Sequence, residues 1–386
     1  MALQSAFTLT ANEIYNTLAN MIISQQVFAD NISKHQTLVD KARVDGGLYG
    51  DTKLYYATDV LKSVAWGNDD KAEASNLLSL DRAEDPEVQA IKLNNFRQIR
   101  LTVDNYLTKR AFADEGTFAS FNSVMLGWMN ETKKIYDGTL YNVFIGTTET
   151  SIGKQQVTID IDADSNSAGE NIAKAMADLF TEMSDYSRDF NDYQFLRSYG
   201  DSEIKVIWNA DYFNQVKKID LPSIFHDEAL QSTFAGDVLA PRYFGTVITA
   251  TNKANYAAAT PAAGKPIDSD DDTYVPGANN VNGTLRAVVE KDVTVGGTAY
   301  HVFPGDEIPA GATIKAGGNF ELGEVYIETA DVICKVLVKY PPYMSAFETG
   351  TSFFNPRSLT ENHYLTFGHN TLTYLKNYPF ITVKAV

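Results

Sequence analysis

The sequence of 386 residues predicts a folded α+β protein, and three features support that class. Hydrophobic residues make up 44% of the chain, which is enough for a substantial core. Segments with apolar residues at three- and four-residue spacing are interspersed with segments in which every second residue is apolar. There is no apolar run of 18 residues, and the N-terminus lacks a basic region and an apolar core, so neither a membrane span nor a secretory signal is predicted.

Composition narrows the class of function further. The chain carries 32 Lys and Arg against 49 Asp and Glu, a net charge of −17, which argues against a protein that coats nucleic acid with a broad positive face. The single cysteine, Cys334, rules out an internal disulfide and is compatible with synthesis in the cytoplasm. Copies with this charge repel one another, so any large assembly needs specific apolar contacts, which 21 Tyr and 21 Phe can supply.

Three helices are predicted from the spacing of apolar residues. The first covers about 11–32 and begins with the capping box Thr10-Ala-Asn-Glu13. The second is a long helix from Thr117 to about Tyr141, weakened by two glycines. The third follows a second capping box, Ser167-Ala-Gly-Glu170, and carries a clear apolar stripe.

A long β excursion is predicted between the first two helices. The glycines of VDGGLYGD, residues 44–51, release the chain from helix. Residues 53–66 are rich in β-branched and aromatic side chains, and residues 97–104 alternate apolar with polar, so both are predicted as strands. Residues 67–87 between them are polar and acidic, which predicts an exposed tip. Because an isolated two-stranded arm is marginally stable in water, a neighbouring subunit is one candidate support.

The second half of the chain is predicted to be mostly β. Residues 157–161 are predicted to form a strand with one solvent-exposed face. A flexible loop after residue 250 is predicted to lead to a small all-β insertion between 281 and 325. A strong strand begins at Asp331, with Lys335 and Lys339 on its polar face. Two further β-rich pieces are predicted at 363–367 and 379–384.

The stretch SEIKVIWNADYFNQVKK, residues 202–218, predicts a strand that ends at Asn209 and is followed by a short helix. In an α/β enzyme a ligand would bind at such a turn. This turn has no glycine to admit a phosphate, and no motif places a His, Cys or Ser partner beside it. We therefore interpret Asn209 as a helix cap and Trp208 and Phe213 as core residues.

The sequence lacks four motifs that would indicate nucleotide binding or catalysis. In GTTETSIGKQ, residues 146–155, Gln155 stands where a phosphate loop needs Ser or Thr, and the chain has no GxGxxG, GxSxG or HExxH. His363 and His369 lie six apart, which fits no metal spacing, so both are interpreted as solvated or packed. Cys334 lies on the apolar face of its strand and is interpreted as a small buried hydrophobe.

Clusters of charge give weaker indications of a site. Asp160, Asp162 and Asp164 could share a divalent cation, but an EF-hand loop would need Gly and Glu where the chain has Ser165 and Asn171. A solvated edge is favoured there, and a solvated loop is favoured for the acidic run at 268–272. Segment 92–110 is rich in basic residues, namely Lys92, Arg97, Arg100, Lys109 and Arg110. These residues could form a patch that faces nucleic acid or another subunit. We favour the other interpretation, a charged and solvent-exposed strand face. We predict no catalytic, cofactor-binding or metal-ligating residue, and no enzyme.

The order of these elements resembles the major capsid proteins of tailed phages, which have the Hong Kong 97-like fold. The residues that carry the resemblance are GGLYGDTKLYYA before the excursion, the long helix from Thr117, and EIKVIWNADYFNQVKK. The last is similar to a strand of that family that ends in Asn and is followed by a helix. The resemblance covers nearly all of the chain except residues 251–330.

The resemblance implies an α+β capsid fold with an N-terminal arm, an extended β loop, a peripheral domain with a long spine helix, and an axial domain. It implies pentamers and hexamers of an icosahedral head around packaged double-stranded DNA, assembled in the host cytoplasm, with portal and possible scaffolding or cement partners. It does not place the Lys–Asn cross-link of some members, because no lysine here lies in a matching motif. The implied divisions are 1–46 N-terminal arm, 47–97 extended loop, 98–156 peripheral domain, 157–250 axial domain, 251–330 loop and β insertion, and 331–386 return strands.

Two hypotheses from other classes stay open at this point. A phage tail or host-surface adhesin could use the β-rich 281–330 region to bind a receptor. An α/β enzyme could have its site beside Asn209.

Overall fold

A computed structural model shows a mixed α+β protein. The structure describes residues 38–46, 51–63, 82–104, 115–150, 152–162, 168–218, 236–253, 273–274 and 283–386. Within these residues four helices are found: α1 Leu38–Ala42, α2 Glu115–Thr147, α3 Ala168–Ser184 and α4 Ala210–Lys218. The same residues form fifteen strands: β1 Arg43–Asp45, β2 Thr52–Ala57, β3 Glu87–Asp104, β4 Gln156–Ile159, β5 Lys205–Asn209, β6 Asp237–Leu239, β7 Gly245–Val247, β8 Leu285–Ala287, β9 Lys291–Val295, β10 Thr298–Val302, β11 Val325–Glu328, β12 Val332–Leu337, β13 Tyr343–Asn355, β14 Thr360–Asn370 and β15 Phe380–Ala385.

A five-stranded sheet, which we call the central sheet, has the strand order β4-β15-β12-β5-β6. It is mixed, because β4 runs parallel to β15 and β6 parallel to β5, whereas β12 is antiparallel to both of its neighbours. The apolar side of α3 packs against one face of the sheet through Met176 and Phe180. The C-terminal part of α2 packs against the other face through Tyr141 and Ile145. The central strands are therefore buried on both faces.

A second five-stranded sheet, the arm sheet, has the order β1-β13-β14-β3-β2. Its longest strand, β3, has 18 residues and pairs with β14 along one part and with β2 along the other. The side chains of β3 alternate strictly between a covered and an exposed face. The covered face packs on α2 through Ile99, Leu101 and Phe367, which meet Met129 and Tyr136.

The insertion forms a small β module with its own core. Strand β11 pairs with β7 on one side and with β8 on the other, and β9 and β10 form a separate hairpin. Gly296 and Gly297 make the two-residue turn of this hairpin, both with positive φ, which matches the turn type that suits twisted strands. Residues from both sheets bury a common cluster around Phe320 and Tyr274. Short strands and a glycine-pair turn are therefore present in the region 281–325, where the sequence predicted them.

Several predicted elements are found with different bounds. The long helix has 33 residues and ends at Thr147 rather than near Tyr141. The strand predicted at 53–66 ends at Ala57, and the strand predicted at 97–104 begins ten residues earlier, at Glu87. The strand predicted at 157–161 ends at Ile159. Residues 82–86 are exposed, as expected for the tip, whereas the predicted helix at 11–32 lies outside the described residues.

Two features of the fold differ from the sequence prediction. The prediction that Lys335 lies on a polar strand face is wrong, because α2 covers that face and the side chain is fully buried. Strand β13, of 13 residues, was not predicted. Its outer half is exposed, and its two phenylalanines, Phe353 and Phe354, are adjacent, so it lacks the apolar alternation by which strands are recognised.

Candidate functional site

The turn at Asn209, between β5 and α4, is buried in the protein. The Asn209 side chain is buried; its Nδ2 donates to the Val332 carbonyl at 2.9 Å, and its Oδ1 accepts from the Asp211 amide at 3.2 Å. Trp208 is buried in the core between the central sheet and α3, and Phe213 packs on the same cluster. The interpretation of Asn209 as a helix cap and of Trp208 and Phe213 as core residues is confirmed.

Replacing Asn209 by alanine is expected to lower the free energy of unfolding by about 1–2 kcal/mol, because the cap is lost and the Val332 carbonyl loses its donor. Equilibrium unfolding in urea measures the change. The control is Asn214→Ala on the exposed side of the same helix, expected to change stability by less than about 0.5 kcal/mol. An Asn209→Ala protein of unchanged stability that loses a chemical activity would contradict this role and favour the enzyme hypothesis.

The other candidate residues of the sequence are scattered. Cys334 is buried against Met176, and burial raises the pKa of its thiol far above the usual range. Asp160 accepts a hydrogen bond from the Asp162 amide at 3.1 Å, a local turn contact. Asp164, the acidic run 268–272 and the pair Lys109 and Arg110 lie outside the described residues. In the described part of the chain, no group of three His, Cys, Asp or Glu side chains is arranged to hold a metal ion.

Lys335 is a buried lysine at the contact between α2 and the central sheet. Its Nζ donates to the Thr148 carbonyl and to Thr382 Oγ1, both at 2.8 Å. The Thr148 carbonyl follows the last turn of α2, where carbonyls lack helical donors and a lysine is favourable. Burial nevertheless lowers the pKa of Lys335 to about 7.

This burial predicts a pH dependence of stability. The unfolded chain binds a proton at Lys335 up to about pH 10.4, whereas the folded chain releases it near pH 7, so the free energy of unfolding rises with pH in between. The contribution reaches up to about 1.4 kcal/mol per pH unit. Urea unfolding between pH 7 and 9 should show this slope in the natural protein and lose it in Lys335→Met. Lys174→Met, at an exposed position of α3, is the control, and equal slopes in all three would contradict the assignment.

A cluster of buried polar side chains joins α2 to the arm sheet. The Asp137 carboxylate is fully buried and accepts from Lys133 Nζ at 3.0 Å, Arg43 Nη2 at 3.1 Å and Tyr343 Oη at 2.6 Å. Burial and the nearby Asp137 charge raise the pKa of Tyr343, so its hydroxyl stays a donor. We call these four residues the Asp137 cluster. It fastens α2, β1 and β13 to one another.

The cluster continues through His369 toward the small β module. His369 stacks on Tyr343, and its Nε2 lies 2.8 Å from Tyr136 Oη. Burial lowers the pKa of His369 below its usual value, so the neutral ring is favoured. Arg97 lies over the Tyr136 ring and bonds Glu290 of the module at 2.7 Å. The predicted packed state of a histidine is confirmed at His369, whereas His363 is half-buried and lies 3.9 Å from Glu361.

An exposed apolar surface lies on the segment that we call the arm, residues 51–63 and 82–92, where β2 pairs with the start of β3. Leu54 faces Ala90 and Tyr56 faces Val88 across the two strands, all on the same exposed face. Tyr56 is 64% exposed and Leu54 50% exposed. Val60 and Leu61, just beyond β2, are also exposed. A contiguous exposed apolar patch of this kind is typical of a surface that another molecule covers.

The basic stretch divides between two faces of the arm sheet. Lys92 and Arg100 lie on the exposed face of β3, beside amide and hydroxyl side chains such as Gln98 and Thr102. Arg97 lies on the other face and is bound to Glu290. The favoured interpretation, a charged wet strand face, agrees with the positions of Lys92 and Arg100.

Comparisons with known proteins identify the architecture. No family model matches the chain, and no curated protein matches it. Among solved structures, the capsid of Staphylococcus phage Andhra matches with a TM-score of 0.53 at 11% identity, over 91% of this chain and 87% of that chain. A structure from bacteriophage P68, described as head fiber and inner core protein gp22, matches with a TM-score of 0.51 at 10% identity, over 87% and 81%.

The chain has the fold of a phage capsid protein. The predicted resemblance to tailed-phage major capsid proteins is therefore confirmed at the level of fold. Of the described helices, none is long and apolar enough to span a bilayer.

Proposed function

We propose that this protein assembles with copies of itself into the pentamers and hexamers of an icosahedral phage head that encloses double-stranded DNA. The observation that carries the proposal is the exposed apolar face of the arm on a chain with the fold of a phage capsid protein. Since the chain has a net charge of −17, copies need such apolar contacts to overcome their repulsion.

We assign successive segments of the chain to the parts of a capsid subunit as follows. Residues 1–46 form an N-terminal arm, which is distinct from the arm of residues 51–63 and 82–92. Residues 47–97, which include the latter arm, form the extended loop that lies on a neighbouring copy. Residues 98–156 form the peripheral domain, with α2 as its spine helix. The axial domain covers 157–250, and the return strands of 331–386 rejoin both the axial and the peripheral domains. Strand β3 continues through the division at residue 97, so the extended loop and the peripheral domain share one strand.

The small β module, within residues 251–330, is proposed to face the outside of the shell. It has its own core, and its hairpin β9–β10 is exposed along most of β10. Such a module can be added to a shell protein without changing the contacts between copies. Its attachment to the arm sheet through Arg97 and Glu290 holds it in place.

The proposed partners are other copies of the chain, a portal, possible scaffolding or cement proteins, and the packaged DNA on the inner face. Assembly takes place in the host cytoplasm and the product is the virion. We propose no enzymatic activity, no cofactor, no metal and no membrane partner.

Electron microscopy of the purified natural protein tests the proposal. Closed shells or ring-shaped pentamers and hexamers are the expected result. Trimers or fibres would contradict it and would favour a tail or host-surface adhesin that uses the small β module to bind a receptor.

A further inference from the structure

The arm is tied to the body of its own chain just beyond β2. Asp59 Oδ2 accepts from Arg188 Nη1 at 2.6 Å, and Asp59 Oδ1 accepts from the Leu196 amide at 2.9 Å. The neighbouring Thr58 carbonyl accepts from Arg197 Nη2 at 2.6 Å. Arg188, Leu196 and Arg197 all belong to the loop between α3 and β5. We call this set of contacts the arm clasp.

The loop that receives the arm is held by its own hydrogen bonds. Ser187 and Arg197 exchange two backbone bonds of 2.9 Å. The buried Asn191 side chain closes the loop with one donated and one accepted bond to the Phe195 backbone, both 2.8 Å. Arg188 also donates to the Gln194 carbonyl at 2.8 Å, so its guanidinium is held by its own loop as well as by Asp59. The loop therefore offers a preformed receptor for one carboxylate, which limits the entropy lost when the contact forms.

A second tie fixes the root of the arm on β3. Gln89 Nε2 donates to the Tyr374 carbonyl at 2.8 Å, and Gln89 Oε1 accepts from the Lys376 amide at 3.0 Å. Gln89 has the opposite orientation to Val88 and Ala90, because neighbouring residues of a strand point to opposite faces. The Gln89 tie therefore holds one face of the arm to the body and leaves the apolar face, with Leu54 and Tyr56, directed outward.

The clasp works over a wide range of pH. The bonds from Arg188 and the Leu196 amide lower the pKa of Asp59 to about 2. The carboxylate therefore stays charged at neutral and mildly acidic pH. Arg188 is half exposed, so salt screens this ion pair and neighbouring contacts can compete with it.

We propose that the arm clasp limits the directions in which the arm leaves the body, so that copies present the apolar face within a narrow range of angles. This inference rests on the proposed function for its consequence in assembly. Heterologous contacts between copies close into a shell of one size only if the angles between copies are restricted, because a wide range of angles allows several closures. Loss of the clasp is therefore expected to leave the fold intact and to broaden the distribution of particle diameters.

The first test measures how strongly Asp59 holds the arm in place. Hydrogen exchange on unassembled full-length protein should show amides of 52–57 exchanging about tenfold faster in Asp59→Ala, as expected for loss of charge-assisted hydrogen bonds. Asp59→Asn keeps an acceptor for the Leu196 amide, so it should give a smaller acceleration. The control is Glu182→Gln, which removes an exposed ion pair between α3 and Lys154. Its arm amides should exchange as in the natural protein.

The second test measures assembly by electron microscopy of the same four proteins. Particles of one diameter from the natural protein and Glu182→Gln, with mixed diameters from Asp59→Ala, are the expected result. Unchanged arm exchange in Asp59→Ala would overturn the clasp, and uniform particles despite faster exchange would overturn its role in size. If the natural protein forms no shells, the proposed function and the size effect fail together, while faster arm exchange still supports the clasp.

Discussion

Replacing Asp137 by alanine is expected to lower the free energy of unfolding by about 3–5 kcal/mol. The carboxylate is fully buried and bonds Lys133, Arg43 and Tyr343. Lys133 is only 5% exposed, so its charge stays in the interior without this carboxylate. A buried charge that loses its counter-ion costs far more than a surface pair gains. Guanidinium unfolding of the unassembled protein, followed by circular dichroism, measures the loss.

The chain contains a matched control for Asp137. Asp40 binds the same guanidinium, Arg43, at 2.9 Å, but its side chain is 52% exposed. Asp40→Ala is therefore expected to cost at most about 1 kcal/mol. The double variant Lys133→Met with Asp137→Leu should recover part of the loss, because neither charge is then buried. Equal effects of Asp40→Ala and Asp137→Ala would show that burial does not determine the strength of this cluster.

Placing aspartate at both Leu54 and Tyr56 is expected to abolish assembly and leave the fold of the single chain unchanged. Both side chains are exposed, so a polar substitution there is expected to change stability by about 0.5 kcal/mol or less. Each apolar side chain buried at a contact contributes about 1.5–3 kcal/mol. Their loss weakens each contact by about tenfold or more per residue, and two new negative charges add repulsion. Sedimentation velocity and electron microscopy measure assembly, and urea unfolding measures the fold.

The control for the arm is Tyr300→Asp on hairpin β9–β10. Tyr300 is an aromatic residue with 42% exposure, but it lies on the small β module rather than on the arm. Its substitution should leave assembly unchanged, because the module is proposed to face outward. Normal shells from the Leu54→Asp, Tyr56→Asp protein would contradict the role of the arm. Loss of shells from Tyr300→Asp alone would place the contact on the module instead.

Local patterns predicted α2, α3 and several strands because their apolar spacing records which face is buried. The stripe of α3 and the alternation within β3 are of this kind. The strand, asparagine and helix around Asn209 were also predictable, because a cap depends on contacts within a few residues. The end of α2 was predicted too early and the start of β3 too late, because tertiary packing rather than propensity decides where a long element begins and ends.

The sequence by itself therefore determined the α+β class, the cap at Asn209, the β insertion and the resemblance to phage capsid proteins. The tertiary structure decided the environments of the charged residues, because a charge in the sequence carries no record of what packs over it. Lys335 alternates with apolar neighbours as a solvent-facing lysine would, yet α2 covers it. Asp137 and Arg43 are 94 residues apart, and Asp59 and Arg188 are 129 apart. Such pairs arise when separate elements meet in the fold, so the Asp137 cluster and the arm clasp had no signal in the sequence.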